Sequence, residues 1–125
     1  AQRLTVLFVS PEATVADNPD NITVSPSGGV LVCEDGGGVS NEAGELTIGT
    51  RMLGIEPNGN AYVFAENNMI IEAPLPDRPF IEPGDYRGSE WAGATFGPLG
   101  SLMFVNIQTP GVTFAITGPW ERGPL

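Results

Sequence analysis

The chain contains no histidine and no lysine. Without an imidazole there is no Ser-His-Asp triad, no histidine general base and no histidine-ligated zinc. Chemistry is left to carboxylates, arginine, cysteine or a bound metal. All 5 basic residues are arginine, against 15 acidic ones, for a formal net charge of -10. That sign repels phosphate backbones and excludes nucleic acid as a partner. It suits hard cations, whose usual ligands are carboxylates, although an acidic surface also serves solubility alone. Cys33 is the only cysteine, so no intrachain disulfide forms and the redox compartment is not indicated. No apolar run nears the roughly 18 residues of a membrane-crossing helix, so no membrane span is expected. The start carries neither an initiating Met nor a basic-then-apolar segment, as in a chain whose signal peptide has been removed or a piece of a longer protein.

What is present points to strands. The 125 residues are 41% hydrophobic, with 17 Gly and 12 Pro. That is enough for one core, and it favours turns and short strands over long helices. We expect a single all-β segment over 1–125. Its predicted strands are 3–9 (RLTVLFV), 22–25, 30–33, 45–48, 51–56, 61–65, 94–96, 101–107 and 112–116. Residues 66–88, with four prolines, make a long irregular loop. Three hairpins share a Pro-x-Gly turn followed by a strand: Pro26-Ser27-Gly28, Pro57-Asn58-Gly59 and Pro98-Leu99-Gly100. Proline presets φ for such a turn and glycine accepts a positive φ. The repeat predicts antiparallel hairpins forming about two to three blades of a β-propeller. At roughly 40–50 residues per blade that is a partial propeller, whose open edges need a partner.

The first hairpin concentrates charge. Asp20 precedes its first strand; Glu34 and Asp35 follow its second. The open ends of an antiparallel hairpin lie side by side, so these carboxylates gather at one sheet edge. Calcium takes six to eight oxygens, and Gly36, Gly37 and Gly38 would admit backbone carbonyls. Successive residues of an extended segment face opposite ways, so one of Glu34 and Asp35 is the better ligand. The alternatives are a turn-capping role for Asp20 and solvated loop acids for the others. Arg51, Arg87 and Arg122 are candidates, by type, to clamp phosphoryl oxygens. Cys33 is expected to be a small buried hydrophobe. Asn106 and Gln108, two apart on one strand face, fit polar satisfaction better than substrate contact.

DNITVSPSGGVLVCEDG from Asp20 and EWAGATFGPLGSLMFVNIQTPGVTFAITGPW from Glu90 together resemble the C-terminal part of the PhoX-type alkaline phosphatase family. The resemblance spans roughly Leu4 to Trp120. It implies a β-propeller, secretion to the periplasm or exterior, and hydrolysis of phosphomonoesters at a calcium site that also holds iron. It implies Asp20, Glu34, Asp35 and Glu90 as metal ligands, no assigned catalytic or substrate-binding residue, and the remaining blades of a longer protein as partner. By the same likeness this segment alone is expected to be inactive. Two departures, Cys33-Glu34 before Asp35-Gly36 and Thr109 after the NIQ run, point to a distinct subfamily. The alternative is a non-catalytic β-rich structural or interaction module, assembling with other copies or with the rest of a propeller.

Overall fold

The structure, a computed structural model, describes residues 2–125. The strands in chain order are β1 (Pro19–Val24), β2 (Val30–Glu34), β3 (Val39–Ser40), β4 (Leu46–Ile48), β5 (Arg51–Ile55), β6 (Ala61–Glu66), β7 (Ile70–Ile71), β8 (Gly84–Asp85), β9 (Trp91–Phe96), β10 (Leu102–Ile107) and β11 (Val112–Thr117). A single 3-10 turn at Trp120–Arg122 is the only helical element among the described residues. No helix there is long and apolar enough to cross a membrane. The main sheet is an antiparallel meander, β1-β2-β5-β6, and a second sheet has the order β11-β10-β9. Two two-stranded ribbons, β3-β4 and β7-β8, complete the set. The all-β class therefore holds, and the open antiparallel sheets are consistent with partial, propeller-like blades.

The Pro-x-Gly hairpins form as expected, and by one mechanism. In each, the glycine N–H donates to the carbonyl three residues back: Gly28 to Ser25 at 3.0 Å, Gly59 to Glu56 and Gly100 to Gly97 at 2.9 Å. Each of these glycines has positive φ, +87°, +92° and +68°, the turn-plus-bulge geometry of short hairpin loops. A fourth copy lies between β3 and β4, where Gly44 (φ +80°) donates to Asn41 at 2.9 Å. Glu42 stands in the proline position there, so the proline pattern does not reveal it.

The core lies between the two large sheets. Leu31, Cys33 and Met52 from one pack with Trp91, Ala94, Met103, Val105 and Ile107 from the other. Trp120 closes one end, edge-on to Phe96 with ring centroids 5.3 Å apart. Its indole N–H donates to Ser101 O at 3.1 Å. Strands β1 and β9 run beside each other, tied by the Gly93 N–H donating to Asn21 Oδ1 at 3.2 Å.

The alternation of β1 is as expected, but its polar side is the packed one. Thr23 is half-buried and Ser25 buried, whereas Ile22 and Val24 are 68% and 64% exposed. With Val30, Val32, Leu53 and Ile55, Ile22 lines an apolar groove of about 450 Å³ on the face away from the core. The expected strand over 3–9 does not form. Val6, Leu7 and Phe8 border this groove, but Leu4, Val6 and Val9 remain exposed. The segment finds no strand partner, and its β-branched composition alone does not make a ladder.

Candidate metal centre

Strand irregularities place the acids. Pro19 pairs with Glu34 and Asn21 with Cys33, so Asp20 is the extra residue of a β-bulge. A bulge re-aims the side chain it carries, here at the end of the hairpin. The Asp35 N–H donates to Asn18 O at 2.9 Å, holding the segment after β2 against the approach to β1. Glu90 leads into β9, and its carbonyl accepts from Gln108 N–H at 3.0 Å. The result is one cluster: Asp20, Asp35 and Glu90 each offer a carboxylate oxygen, all within 4.8 Å of one another. Asp20 and Asp35 are exposed and Glu90 is half-buried. Partial burial first, then the charges of Asp20 and Asp35 and a hydrogen bond with Asp35, push the Glu90 carboxyl above its ordinary value.

Glu34, expected beside them, does not join. Strand parity turns it to the opposite face, where it is 2% exposed. It grips Arg51 bidentately, accepting from Nε at 2.9 Å and Nη2 at 2.7 Å. It also accepts the backbone N–H groups of Asp17 and Arg51, both at 2.8 Å. All of its acceptor capacity goes to this network, so Glu34 is structural here. The same contacts remove Arg51 from the phosphoryl clamps: Nη1 donates to Thr14 O at 2.6 Å and Nη2 to Ala13 O at 2.8 Å. Arg87 is held by Asp85, with Nη2 to Oδ2 at 2.7 Å. Arg122 is exposed, at the end of the 3-10 turn. The two ion pairs seen among the described residues, Glu34–Arg51 and Asp85–Arg87, involve none of the clustered acids.

A cleft of about 440 Å³ opens beside the cluster, lined by Asp35, Glu90, Asp85, Tyr86, Ser89 and Gln108 among others. Its wall is a pinned loop. Five successive carbonyls accept hydrogen bonds from elsewhere in the fold: Tyr86 from Asn67 Nδ2, Arg87 from Thr50 N–H, Gly88 from Gly37 N–H, Ser89 from Thr50 Oγ1 and Asn67 Nδ2, and Glu90 from Gln108 N–H. Thr50 and Asn67 are buried. Neither stands out as functional in the sequence; for Thr50 the signal is Thr50-Arg51, two polar residues opening an apolar strand. Asn106 is satisfied within its sheet, donating to Ala92 O at 3.1 Å and accepting from Thr113 Oγ1 at 2.7 Å. Cys33 is fully buried behind the cluster, and burial pushes its thiol up to about 11, so it is a packing residue and not a thiolate.

The family described as alkaline phosphatase PhoX matches residues 2–111. The chain belongs to the PhoX family. Its function is accordingly alkaline phosphatase-like, and PhoX phosphatases are metal-dependent. The chain's own donors fit such a metal in kind: three carboxylates converge, none of them in an ion pair seen among the described residues, which is hard-cation chemistry. They do not fill a coordination sphere of six to eight oxygens. No curated protein and no solved structure is a significant match to the chain.

Proposed function

We propose that this chain supplies part of the metal centre of a secreted PhoX phosphomonoesterase, with calcium held by Asp20, Asp35 and Glu90. The observation that carries the reading is the convergence of these three carboxylates at the β1, β2 and β9 strand ends, beside a cleft with room for a phosphate ester. Three like charges this close oppose one another, and a divalent cation offsets that repulsion. When bound, the metal supplies Lewis acidity toward phosphoryl oxygens and lowers the pKa of bound water. The chain's own contribution is to fix the three acids: Asp20 by its bulge, Asp35 by its bond to Asn18, Glu90 by its bond to Gln108. Iron would be a second metal, with ligands from outside these residues. Few ligands and partial exposure suit a weak site, which fills at extracellular calcium levels. The apolar groove beside β1 fits another sheet, and the remaining blades of a propeller are its proposed partner.

The test is a calcium titration by calorimetry, paired with hydrolysis of an aryl phosphate by the complete protein with calcium and with chelator. Calcium binding that is lost in Asp35→Asn, with chelator-sensitive hydrolysis, supports the reading. A chain that binds no calcium, within a complete protein whose hydrolysis ignores chelator, overturns it. The second reading, a non-catalytic assembly module, is supported by the open apolar face. It predicts self-association of the chain and no hydrolysis in the complete protein.

A further inference from the structure

We propose that the dipeptide Thr50-Arg51 positions the acidic centre, each residue holding one of the two loops that carry its carboxylates. The inference rests on the metal-centre reading for its functional meaning, but its geometry stands alone.

Both residues are polar and buried, at 0% and 2% exposure, at the entry to a strand that continues Met52-Leu53. Burying polar groups is costly unless every donor and acceptor is used. Here they are used, and on opposite faces of the sheet. Consecutive residues in extended chain point opposite ways. Arg51 turns outward to Glu34 and, through Nη1 and Nη2, to the carbonyls of Thr14 and Ala13. Glu34 in turn takes the Asp17 N–H. This network fastens the loop that leads into Asp20, and Glu34 is the residue before Asp35. Thr50 turns inward. Its N–H donates to Arg87 O at 3.0 Å and its hydroxyl to Ser89 O. Its carbonyl accepts from Asn67 N–H at 2.8 Å and from the Trp91 indole at 2.9 Å. Those bonds fasten the loop that ends in Glu90. Two adjacent residues thus set the distance between the Asp20–Asp35 edge and Glu90. Gly49, just before them, allows the close approach: a Cβ there would lie 2.1 Å from Asn67 O. A strand needing only packing would carry apolar residues at these positions, so the polar pair marks a requirement for fixed loops.

The test uses the full chain, metal-free, with residue-resolved amide hydrogen exchange, and then calcium calorimetry on the same variants. Thr50→Val keeps shape and removes the hydroxyl. It is expected to speed exchange at Gly37 and Gln108, whose N–H groups donate to this loop, by about tenfold, the order of one lost hydrogen bond. Thr50→Ser, which keeps the hydroxyl, restores it. Glu34→Leu combined with Arg51→Met leaves no orphaned charge, and is expected to speed exchange at Asp17 and Asp35 similarly. Core amides such as Leu31 and Val105 stay protected in every case. Calcium affinity falls about tenfold in the Val and the double variant and is retained in Thr50→Ser. Should Thr50→Val not fold, Arg51→Lys decides, since one ammonium cannot reach both Glu34 oxygens and two carbonyls. Folded variants with unchanged exchange at these amides overturn the proposal, whatever calcium does. Altered exchange in a chain that never binds calcium supports the positioning and overturns the metal reading instead.

Discussion

Glu34 and Asp35 are neighbours in sequence and opposites in use. Glu34 is buried, bidentate to Arg51 and fully hydrogen-bonded. Asp35 is exposed, faces Asp20 and Glu90, and takes part in neither of the ion pairs seen among the described residues. One carboxylate is spent on architecture and the other is left to the cluster. The difference comes from strand parity: β2 ends between them, so one side chain stays on the sheet face and the next leaves it. A chain that offsets a buried acid with its own arginine while leaving three acids in mutual repulsion separates framework from ligand-binding group by position alone. Mutation and titration should treat the two sets differently.

The largest contrast is in stability. Removing Arg51 strands a buried carboxylate, and Arg51→Met should cost about 3–5 kcal/mol by urea denaturation. Replacing both partners, Glu34→Leu with Arg51→Met, should cost far less, because no charge is orphaned. In the cluster the same logic reverses. Asp35→Asn removes repulsion, so the calcium-free chain should hold its stability or gain. An Arg51→Met variant as benign as Asp35→Asn would erase the distinction.

Calcium is the next lever. At a hundredfold excess over Kd, a ligand that binds only the folded chain stabilises it by about 2.7 kcal/mol. Thermal melts of the wild type should rise with calcium, and those of Asp20→Asn, Asp35→Asn or Glu90→Gln should rise much less. A calcium response in all three variants as large as the wild type's would remove the cluster from the site.

A smaller effect is expected between the two regions, at Gly49. An added Cβ would meet Asn67 O at 2.1 Å and Arg87 O at 3.1 Å. Overpacking of this kind costs about 1–3 kcal/mol. Gly49→Ala should therefore lower the melting temperature and weaken calcium binding together. Loss of stability with calcium affinity intact would show that the Thr50 side of the frame does not reach Glu90.

Much of this was legible in the residues. The Pro-x-Gly turns announced their hairpins, because proline and glycine act locally. The gathering of Asp20 with Asp35 followed from hairpin geometry, and Glu90 came from family likeness. Four things were not legible. The Gly44 turn lacks its proline. The fate of Glu34 depends on Arg51, which lies seventeen residues away and pairs only after β2 and β5 align. The segment 3–9 has strand composition but no partner, and pairing is a tertiary fact. The inward turn of Thr23 and Ser25 was hidden for a related reason: polarity alone does not reveal which face of an edge strand packs on its neighbour.

The smallest expected effect compares two exposed or half-exposed acids on the cleft, Asp85 and Glu90. Asp85 is held down to about 2, first by its side-chain hydrogen bond to Arg87. A depressed folded pKa contributes stability that is present above the ordinary value of 3.8 and lost as pH falls through about 2. Glu90 is pushed up, first by burial. A raised carboxyl pKa favours the folded chain while the group is protonated, and that preference disappears as pH rises through the folded value. In chelator, Asp85→Asn should therefore flatten the stability profile on its acid side, and Glu90→Gln should remove a decline on the neutral side. High salt should shrink the parts of the two shifts that come from neighbouring charges, Arg87 at Asp85 and Asp20 with Asp35 at Glu90, and leave the part due to burial. Melting temperatures across this range, at low and high salt, check both slopes. Slopes of the same sign would mean that Glu90 is stabilised as a framework acid like Asp85, and the separation drawn between Glu34 and Asp35 would not extend to it.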